Sequence, residues 1–264
     1  MSLSITGKTV FGQRPASLIE WDTDFLAFWA RTTGTPDSWK SAYNHAFLNL
    51  KSRGLFSIAD CFWLWCGHND LDSRLNLIKN AHNGMSYNSP IFMAKNGQSG
   101  NGVSAYIDLQ YNPAAAAEKF SLDNATFYVY RKTRHINENA AEMSCYASVP
   151  MSEIFDYGAS TVVAAINGGA SFAGQANTTT GGIATCRTNS SEILSIRGTS
   201  VMSLSNASTG LQNATTFLFK RNEGGGAYFS DSQLSSGFIG GYISGICSLL
   251  DEVTEVFLAE IAAL

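Results

Sequence analysis

The chain has 264 residues, of which 45% are hydrophobic and only 14% are charged, and its formal net charge at pH 7 is −4. One β-sandwich can account for this length. Because charged residues make up about 25% of an average soluble domain, Ser, Thr, Asn and Gly must cover much of the surface. Lysines and arginines form no stripe interleaved with aromatic residues, which argues against a nucleic-acid partner. No apolar run approaches about 18 residues, so we expect no membrane span.

The N-terminal segment 1–20 is predicted to be an extended arm. It has no helical period, and glycines and Pro15 interrupt its short apolar runs. It also lacks the charged and apolar regions of a secretory signal peptide. Arms of this kind are either disordered or serve as docking peptides in assembled particles, and both alternatives stay open.

Residues 22–53 are predicted to form two short helices. Asp22 or Thr23 can cap the first helix, and Pro36 suits the first position of the second. In the second helix, Trp39 and the apolar residues after it recur three and four positions apart, which is the clearest helical period in the chain.

The rest of the chain is predicted to be mainly strands. The run Cys61-Phe-Trp-Leu-Trp-Cys66 suits a strand buried on both faces, and its tryptophans are expected in the core rather than stacked on a sugar. Further alternating runs follow, separated by Asn-Gly turns. With helices only near the two ends, the pattern predicts one antiparallel two-sheet jelly-roll sandwich over residues 21–264, closed by a helix over 251–264.

The five cysteines are predicted to be buried free thiols. They stand at scattered positions, their number is odd, and no Cys-x-x-Cys pair or nearby pair of histidines completes a zinc site. We therefore expect neither a disulfide framework nor a metal site.

No catalytic signature is recognisable in the sequence. A glucanase of this fold needs paired carboxylates, as in a Glu-x-Asp-x-Glu strand, whereas Asp108 stands alone on its predicted strand. Asp251, Glu252 and Glu255 are interpreted as a cap and solvated face of the C-terminal helix. The four histidines are isolated, and His68-Asn69-Asp70-Leu-Asp72 suits a turn. The sequence predicts no catalytic residue, metal ligand or cofactor.

Binding is the remaining class of function. Four aromatic residues lie next to long, polar and Gly-rich loops, where a ring face could stack on a sugar. These candidates are Tyr128, Tyr130, Tyr228 and Phe229. Packing in the core or on a sheet face is the alternative for each of them.

Short motifs follow one another in a set order from residue 22 onward. They are Asp22-Thr-Asp-Phe-Leu-Ala-Phe, Leu48-Asn-Leu-Lys-Ser-Arg-Gly-Leu-Phe, Cys61-Phe-Trp-Leu-Trp-Cys-Gly, Arg74-Leu-Asn-Leu-Ile-Lys, Gly100-Asn-Gly-Val-Ser-Ala-Tyr-Ile-Asp-Leu-Gln-Tyr-Asn-Pro113, Ser208-Thr-Gly-Leu-Gln-Asn, Phe217-Leu-Phe-Lys-Arg-Asn-Glu-Gly-Gly and Phe229-Ser-Asp-Ser-Gln-Leu. Together they resemble the concanavalin-A-like (laminin-G-like) jelly-roll structural proteins of bacteriophages and prophages. The resemblance implies a virion-associated structural protein with no catalytic residues, and glycan recognition is associated with the fold at large.

We therefore expect a non-enzymatic phage virion protein, made in the host cytoplasm and released by lysis. It would be a tail, fibre or capsid-surface module that binds other virion proteins through its N-terminal arm and host glycans through its surface. No coiled-coil or repetitive shaft is present, which suits a compact homo-oligomer, with a trimer favoured. The alternatives are a polysaccharide depolymerase or glycosidase of the same fold, and a secreted lectin domain from a prophage remnant.

Overall fold

The computed structural model describes residues 20–135, 139–158, 161–175, 180–221 and 228–264. The predicted N-terminal arm lies outside these residues, except for its last residue. Among the described residues, no helix is long and apolar enough to cross a membrane.

The helices are short, apart from two. They are α1 (Thr23–Trp29), a 3₁₀ turn (Asp37–Trp39), α2 (Lys40–Ser52), α3 (Leu55–Ile58), α4 (Asp70–Ser73), α5 (Pro113–Ala116) and α6 (Ile246–Ala262). The Asp22 carboxylate caps α1 by accepting hydrogen bonds from the backbone N–H groups of Asp24 and Phe25. The last helix starts earlier than the predicted residue 251, because Gly245 takes a left-handed conformation (φ 74°) directly before it.

The described residues also form fifteen strands. In chain order they are β1 (Ala59–Leu64), β2 (Met85–Tyr87), β3 (Ile91–Met93), β4 (Gly97–Ser99), β5 (Tyr106–Asp108), β6 (Ala125–Thr133), β7 (Asn139–Cys145), β8 (Met151–Tyr157), β9 (Thr161–Gly168), β10 (Ser171–Ala173), β11 (Gly181–Asn189), β12 (Glu192–Arg197), β13 (Ser200–Ser205), β14 (Phe217–Leu218) and β15 (Gln233–Gly240). The Gly-rich final run therefore ends its strand at Gly240 and turns into α6.

The strands form two antiparallel sheets, which confirms the predicted mainly β sandwich. The eight-stranded sheet has the order β13-β12-β11-β6-β15-β4-β3, and β1 also pairs with β15. The seven-stranded sheet has the order β10-β9-β8-β7-β14-β5-β2. Strand β15 organises the first sheet, since it pairs with β6 along one side and with β1 and β4 along the other.

The described residues form three layers with two large apolar cores and a third, small apolar cluster of Ala141, Phe155 and Val163. One core lies between the sheets and contains Trp63 and Trp65, both fully buried and stacked with their ring centroids 6.0 Å apart. The other lies between the helices and the outer face of the eight-stranded sheet. Helices α2 and α6 pack together over the face of this sheet. Burial of both faces of the eight-stranded sheet explains its mostly apolar strands.

Two smaller expectations had different outcomes. All five cysteines are buried and free, as predicted. The segment from His68 to Asp72 is not a simple turn: Asn69 caps the one-turn helix α4. The Asp72 carboxylate there is buried and accepts hydrogen bonds from the hydroxyls of Thr33 and Thr35, which ties the end of α1 to the sandwich.

Candidate functional site

A row of side chains crosses the outer face of the seven-stranded sheet. Asp108 on β5 pairs with Phe217 on β14, Phe217 pairs with Ser144 on β7, and Ser144 pairs with Glu153 on β8. Directly paired residues share a face. The alternate residue Ile107 belongs to the core between the sheets, so this row points away from that core. It places two carboxyl groups from separate strands on one face.

Aromatic rings surround the Asp108 end of this row. Tyr87 and Tyr106 stack with their ring centroids 4.8 Å apart and their planes 7° from parallel. The ring of Phe217 lies 5.0 Å from that of Tyr106. The ammonium of Lys220 lies 4.5 Å above the Tyr106 ring. Exposed and half-buried ring faces of this kind are suited to stacking on a sugar.

A second group of rings surrounds the Glu153 end. The guanidinium of Arg221 lies 4.1 Å from the Tyr146 ring, 5.1 Å from that of Phe155 and 5.6 Å from that of Tyr228. Arg221 also donates to both Glu153 oxygens, at 3.1 and 3.2 Å. Glu153 is fully buried beneath it, so the guanidinium supplies the opposite charge that a buried carboxylate requires.

We call these two groups together the outer aromatic surface. It consists of Tyr87, Tyr106, Asp108, Ser144, Tyr146, Glu153, Phe155, Phe217, Lys220, Arg221, Tyr228 and Phe229.

The two carboxyl groups of the outer aromatic surface have different environments. Partial burial raises the pKa of Asp108, and the hydrogen bond that it accepts from the backbone N–H of Gln110 (2.7 Å) only partly opposes this rise. Glu153 instead has a guanidinium and a hydroxyl on its oxygens. A carboxyl with a raised pKa and a carboxylate paired with a cation are the two states that acid and base catalysis require.

The four aromatic candidates from the sequence are divided between the two sides of the sandwich. Tyr228 and Phe229 belong to the outer aromatic surface. Tyr128 is fully buried under α6 and donates to Asp251 (2.8 Å), so it offers no ring face to a ligand, which corrects its place among the candidates. Tyr130 also faces α6, where its hydroxyl donates to Glu255 (3.2 Å).

A second polar cluster lies inside the sandwich. Arg131 donates to Glu142 (2.9 Å) and to Asp156 (2.7 Å), and His135 lies 2.9 Å from the same oxygen of Asp156. Arg197 approaches the other oxygen of Asp156 at 3.8 Å. All five side chains are fully buried. Arg131 and Arg197 lie on strands of one sheet, Glu142 and Asp156 lie on strands of the other, and His135 lies just after β6. Their ion pairs therefore join the two layers.

The buried cluster is balanced without a metal ion. Its histidine and two carboxylates lie close enough together to hold one, yet a guanidinium already occupies both carboxylates. Burial by itself would raise the pKa of Asp156, but the hydrogen bond with His135 and the charges of Arg131 and Arg197 hold that pKa well below its usual value. Burial lowers the pKa of Arg197 to about 10. We assign this cluster to the stability of the sandwich.

Sequence reasoning missed most of the outer aromatic surface. Its residues come from five strands and the segments around Tyr146 and Tyr228, and no local motif joins them. Only Asp108 and the aromatic residues near position 228 were noticed. The alternation of Tyr106, Ile107 and Asp108 was a usable signal, because it places a ring and a carboxyl on the same face of one strand.

No protein-family model matches the chain, and no curated protein matches it. Solved structures with a similar fold exist. A mutant of Trypanosoma rangeli sialidase that displays trans-sialidase activity matches with a TM-score of 0.52 and 10% identity, over 83% of this chain and 38% of the other. The same sialidase in complex with sialic acid matches with a TM-score of 0.49 and 11% identity, over 76% and 33%. An α-L-arabinofuranosidase matches with a TM-score of 0.37 and 11% identity, over 62% and 44%.

These likenesses describe the fold, and this chain spans about a third of the length of the sialidases. They correct one expectation from the sequence, namely that the chain is not an enzyme, because the sialidase mutant that matches this fold displays trans-sialidase activity. The expectation rested on the lack of a carboxylate series along one strand. That reasoning left out the pairing of strands, because neighbouring strands bring the carboxyl groups of Asp108 and Glu153 to one face without any sequence motif.

Proposed function

We propose that this protein is a glycoside hydrolase that binds a polysaccharide along the outer aromatic surface. The observation that carries the proposal is the cross-strand row that places Asp108 and Glu153 on one aromatic-rich face. The exposed ring face of Tyr87, on the side away from Tyr106, would stack on a sugar ring. Asp108, whose pKa is raised, would act as the general acid.

The spacing of the two carboxyl groups favours an inverting reaction. Three interstrand steps of about 4.8 Å separate the Cα atoms of Asp108 and Glu153, which gives about 14 Å. Glu153 leans toward Asp108, since its Oε2 lies 3.3 Å from the hydroxyl of Ser144 on the intervening strand. The two side chains would have to close the Cα separation by about 5 Å to reach the carboxyl spacing of an inverting pair. Inverting glycosidases keep the two carboxyl groups about 6.5–9.5 Å apart, and retaining ones about 5 Å.

The roles in the reaction follow from this arrangement. Asp108 donates its proton to the glycosidic oxygen as the bond from that oxygen to the anomeric carbon breaks. Water attacks the anomeric carbon from the opposite side and loses a proton to Glu153. Because Arg221 covers Glu153, we expect the bound sugar to displace that guanidinium and admit the water.

Release of reducing sugar from bacterial surface polysaccharides tests the proposal. General acid catalysis contributes about 100- to 10,000-fold, so Asp108→Asn should lower kcat by that factor. Asp37→Asn, which changes an exposed acid in the helical layer, is the matched control and should leave kcat unchanged. NMR of the first product should show inversion at the anomeric carbon. No release by the wild-type protein, an active Asp108→Asn variant or a retained anomer would each contradict this assignment.

We further propose that the protein acts on a phage particle. The motif order from about residue 22 to 264 and the low charge content support this setting. There it would dock on other virion proteins through the N-terminal arm, cleave or hold a host glycan, and form a homo-oligomer, with a trimer favoured. Mass spectrometry of intact virions tests this setting, and absence of the protein from the particles would refute the proposed setting.

A further inference from the structure

Lys220 is enclosed by aromatic rings on the outer aromatic surface. Its ammonium lies 4.5 Å from the ring centroid of Tyr106, 5.4 Å from that of Phe217 and 5.8 Å from that of Phe229. The side chain is only partly exposed. In the part of the chain that the structure describes, no carboxylate or other hydrogen-bond acceptor lies within bonding distance of this ammonium. Three N–H donors therefore remain to be satisfied there.

The other lysines that lie over rings in the described ranges do have acidic partners. Lys40 lies 5.6 Å from the Trp29 ring and pairs with Asp37 at 3.0 Å. Lys51 lies over a phenylalanine ring and pairs with Asp22 at 2.7 Å. In this chain a lysine on an aromatic ring is thus normally neutralised by an acid. At Lys220 the rings are present, and no acid among the residues that the structure describes pairs with it.

Lys220 lies close to Asp108, the residue that would donate the proton in the proposed reaction. The ammonium lies over Tyr106, and Tyr106 and Asp108 occupy the same face two residues apart, which is about 7 Å along a strand. This is close to the width of one sugar ring. Tyr87 and Lys220 cover the two faces of the Tyr106 ring, so a sugar would lie across the outward edge of this ring. It would then present a substituent to Lys220 while its glycosidic oxygen lay near Asp108.

We propose that the outer aromatic surface selects glycans that carry a carboxylate, and that Lys220 binds this carboxylate. The proposal rests on the proposed function, because it names the substrate class of the same site. The carboxylate would accept hydrogen bonds from an ammonium that the three rings orient and partly shield from water, which strengthens a charge-assisted bond. Arg221 lies at the other end of the row, beside Glu153, whereas Lys220 lies over Tyr106 at the Asp108 end.

An array of oligosaccharides in matched pairs tests the proposal. In each pair one member keeps its carboxylates and the other has them reduced to primary alcohols, and sulfated oligosaccharides are included. The wild-type protein should bind the carboxylated members at least tenfold more tightly than the reduced ones. Lys220→Met should abolish this preference, Lys220→Arg should keep much of it, and Lys40→Met is the matched control that should leave it unchanged.

The outcomes separate the two proposals. Three results would overturn the role of Lys220 and leave the glycan-binding surface intact. They are equal binding of both members of each pair, a preference for sulfate, and an unchanged preference in Lys220→Met. Failure to bind any glycan would overturn the proposed function and this inference with it. Thermal unfolding of Lys220→Met, measured beside the array, distinguishes loss of the contact from loss of the fold.

Discussion

Replacing Asp251 with asparagine should stabilise the protein at neutral pH. This residue was expected on the solvated face of the last helix, but its Oδ1 lies 2.8 Å from the buried Tyr128 hydroxyl. Its pKa is raised from 3.8 to about 6, chiefly by burial and to a lesser extent by the neighbouring charge of Glu255, and the hydrogen bond from Tyr128 only partly opposes this rise. The carboxylate is therefore held in a place that favours its neutral form.

The sign of the effect follows from proton binding. Between pH 3.8 and about 6 the folded protein holds a proton on Asp251 that the unfolded chain has lost, so stability falls as the pH rises through this range. One pKa unit corresponds to about 1.4 kcal/mol, which makes about 3 kcal/mol an upper figure. Because the carboxyl is partly exposed, solvent screening reduces this value. We expect Asp251→Asn to gain about 1–3 kcal/mol at pH 7.

Urea unfolding between pH 4.5 and 8 measures this effect. The free energy of unfolding of Asp251→Asn should exceed that of the wild type at pH 7, and the difference should shrink toward pH 4.5. Glu252→Gln is the matched control on the same helix; its carboxylate is exposed and pairs with Arg53, so its effect should stay below about 1 kcal/mol. A less stable Asp251→Asn, or a difference that does not change with pH, would refute the reasoning.

Two further substitutions test how the layers are joined. Arg131→Met leaves the carboxylates of Glu142 and Asp156 without their shared guanidinium, so urea unfolding at pH 7 should show a loss of about 3–5 kcal/mol. Gly237→Ala would place a methyl group 2.2 Å from the Trp65 ring, and calorimetry should show a loss of about 1–3 kcal/mol through overpacking.

Each of these two predictions has a control. Gly169→Ala adds a methyl group where nothing lies within 4 Å, so it should leave the melting temperature nearly unchanged. If Gly237→Ala also left the melting temperature unchanged, the core would be able to rearrange around the added methyl group. For the buried cluster, Asp156→Asn in the Arg131→Met background should recover part of the loss, because one unpaired charge is removed. No recovery would mean that the cost is one of packing.

The fold could be predicted because its signals are local. The helical period that starts at Trp39, the cap at Asp22 and the apolar run at Cys61 each fixed an element, and the structure has all three. The start of the last helix was missed because Ser, Gly and Ile before it suit a strand as well as a helix. In segment 215–220 only Phe217–Leu218 forms a strand. The alternation of apolar residues in a run does not show how many of them pair with a neighbouring strand.

The candidate site could not be predicted in the same way, because it depends on register. Whether Asp108 and Glu153 share a face is decided by the pairing of four strands, and a slip of one residue in any pair would move one carboxyl to the other face. Likewise, nothing in the sequence around Lys220 shows that Tyr106 lies beneath it. Contacts between side chains of different strands cannot be predicted from the residue spacing along any one strand.

The layered architecture explains why a ligand surface lies on the seven-stranded sheet. The outer face of the eight-stranded sheet carries Tyr128, Ala184 and Phe238, and these pack against the helical layer, with Phe257 from α6 in the same core. A glycan could reach that face only if the helices left it, at the expense of an entire apolar core. The outer face of the seven-stranded sheet has no helix over it among the described residues. Rings and cations are therefore placed on the sheet face where a sugar can lie, and that is where Asp108 should be tested first.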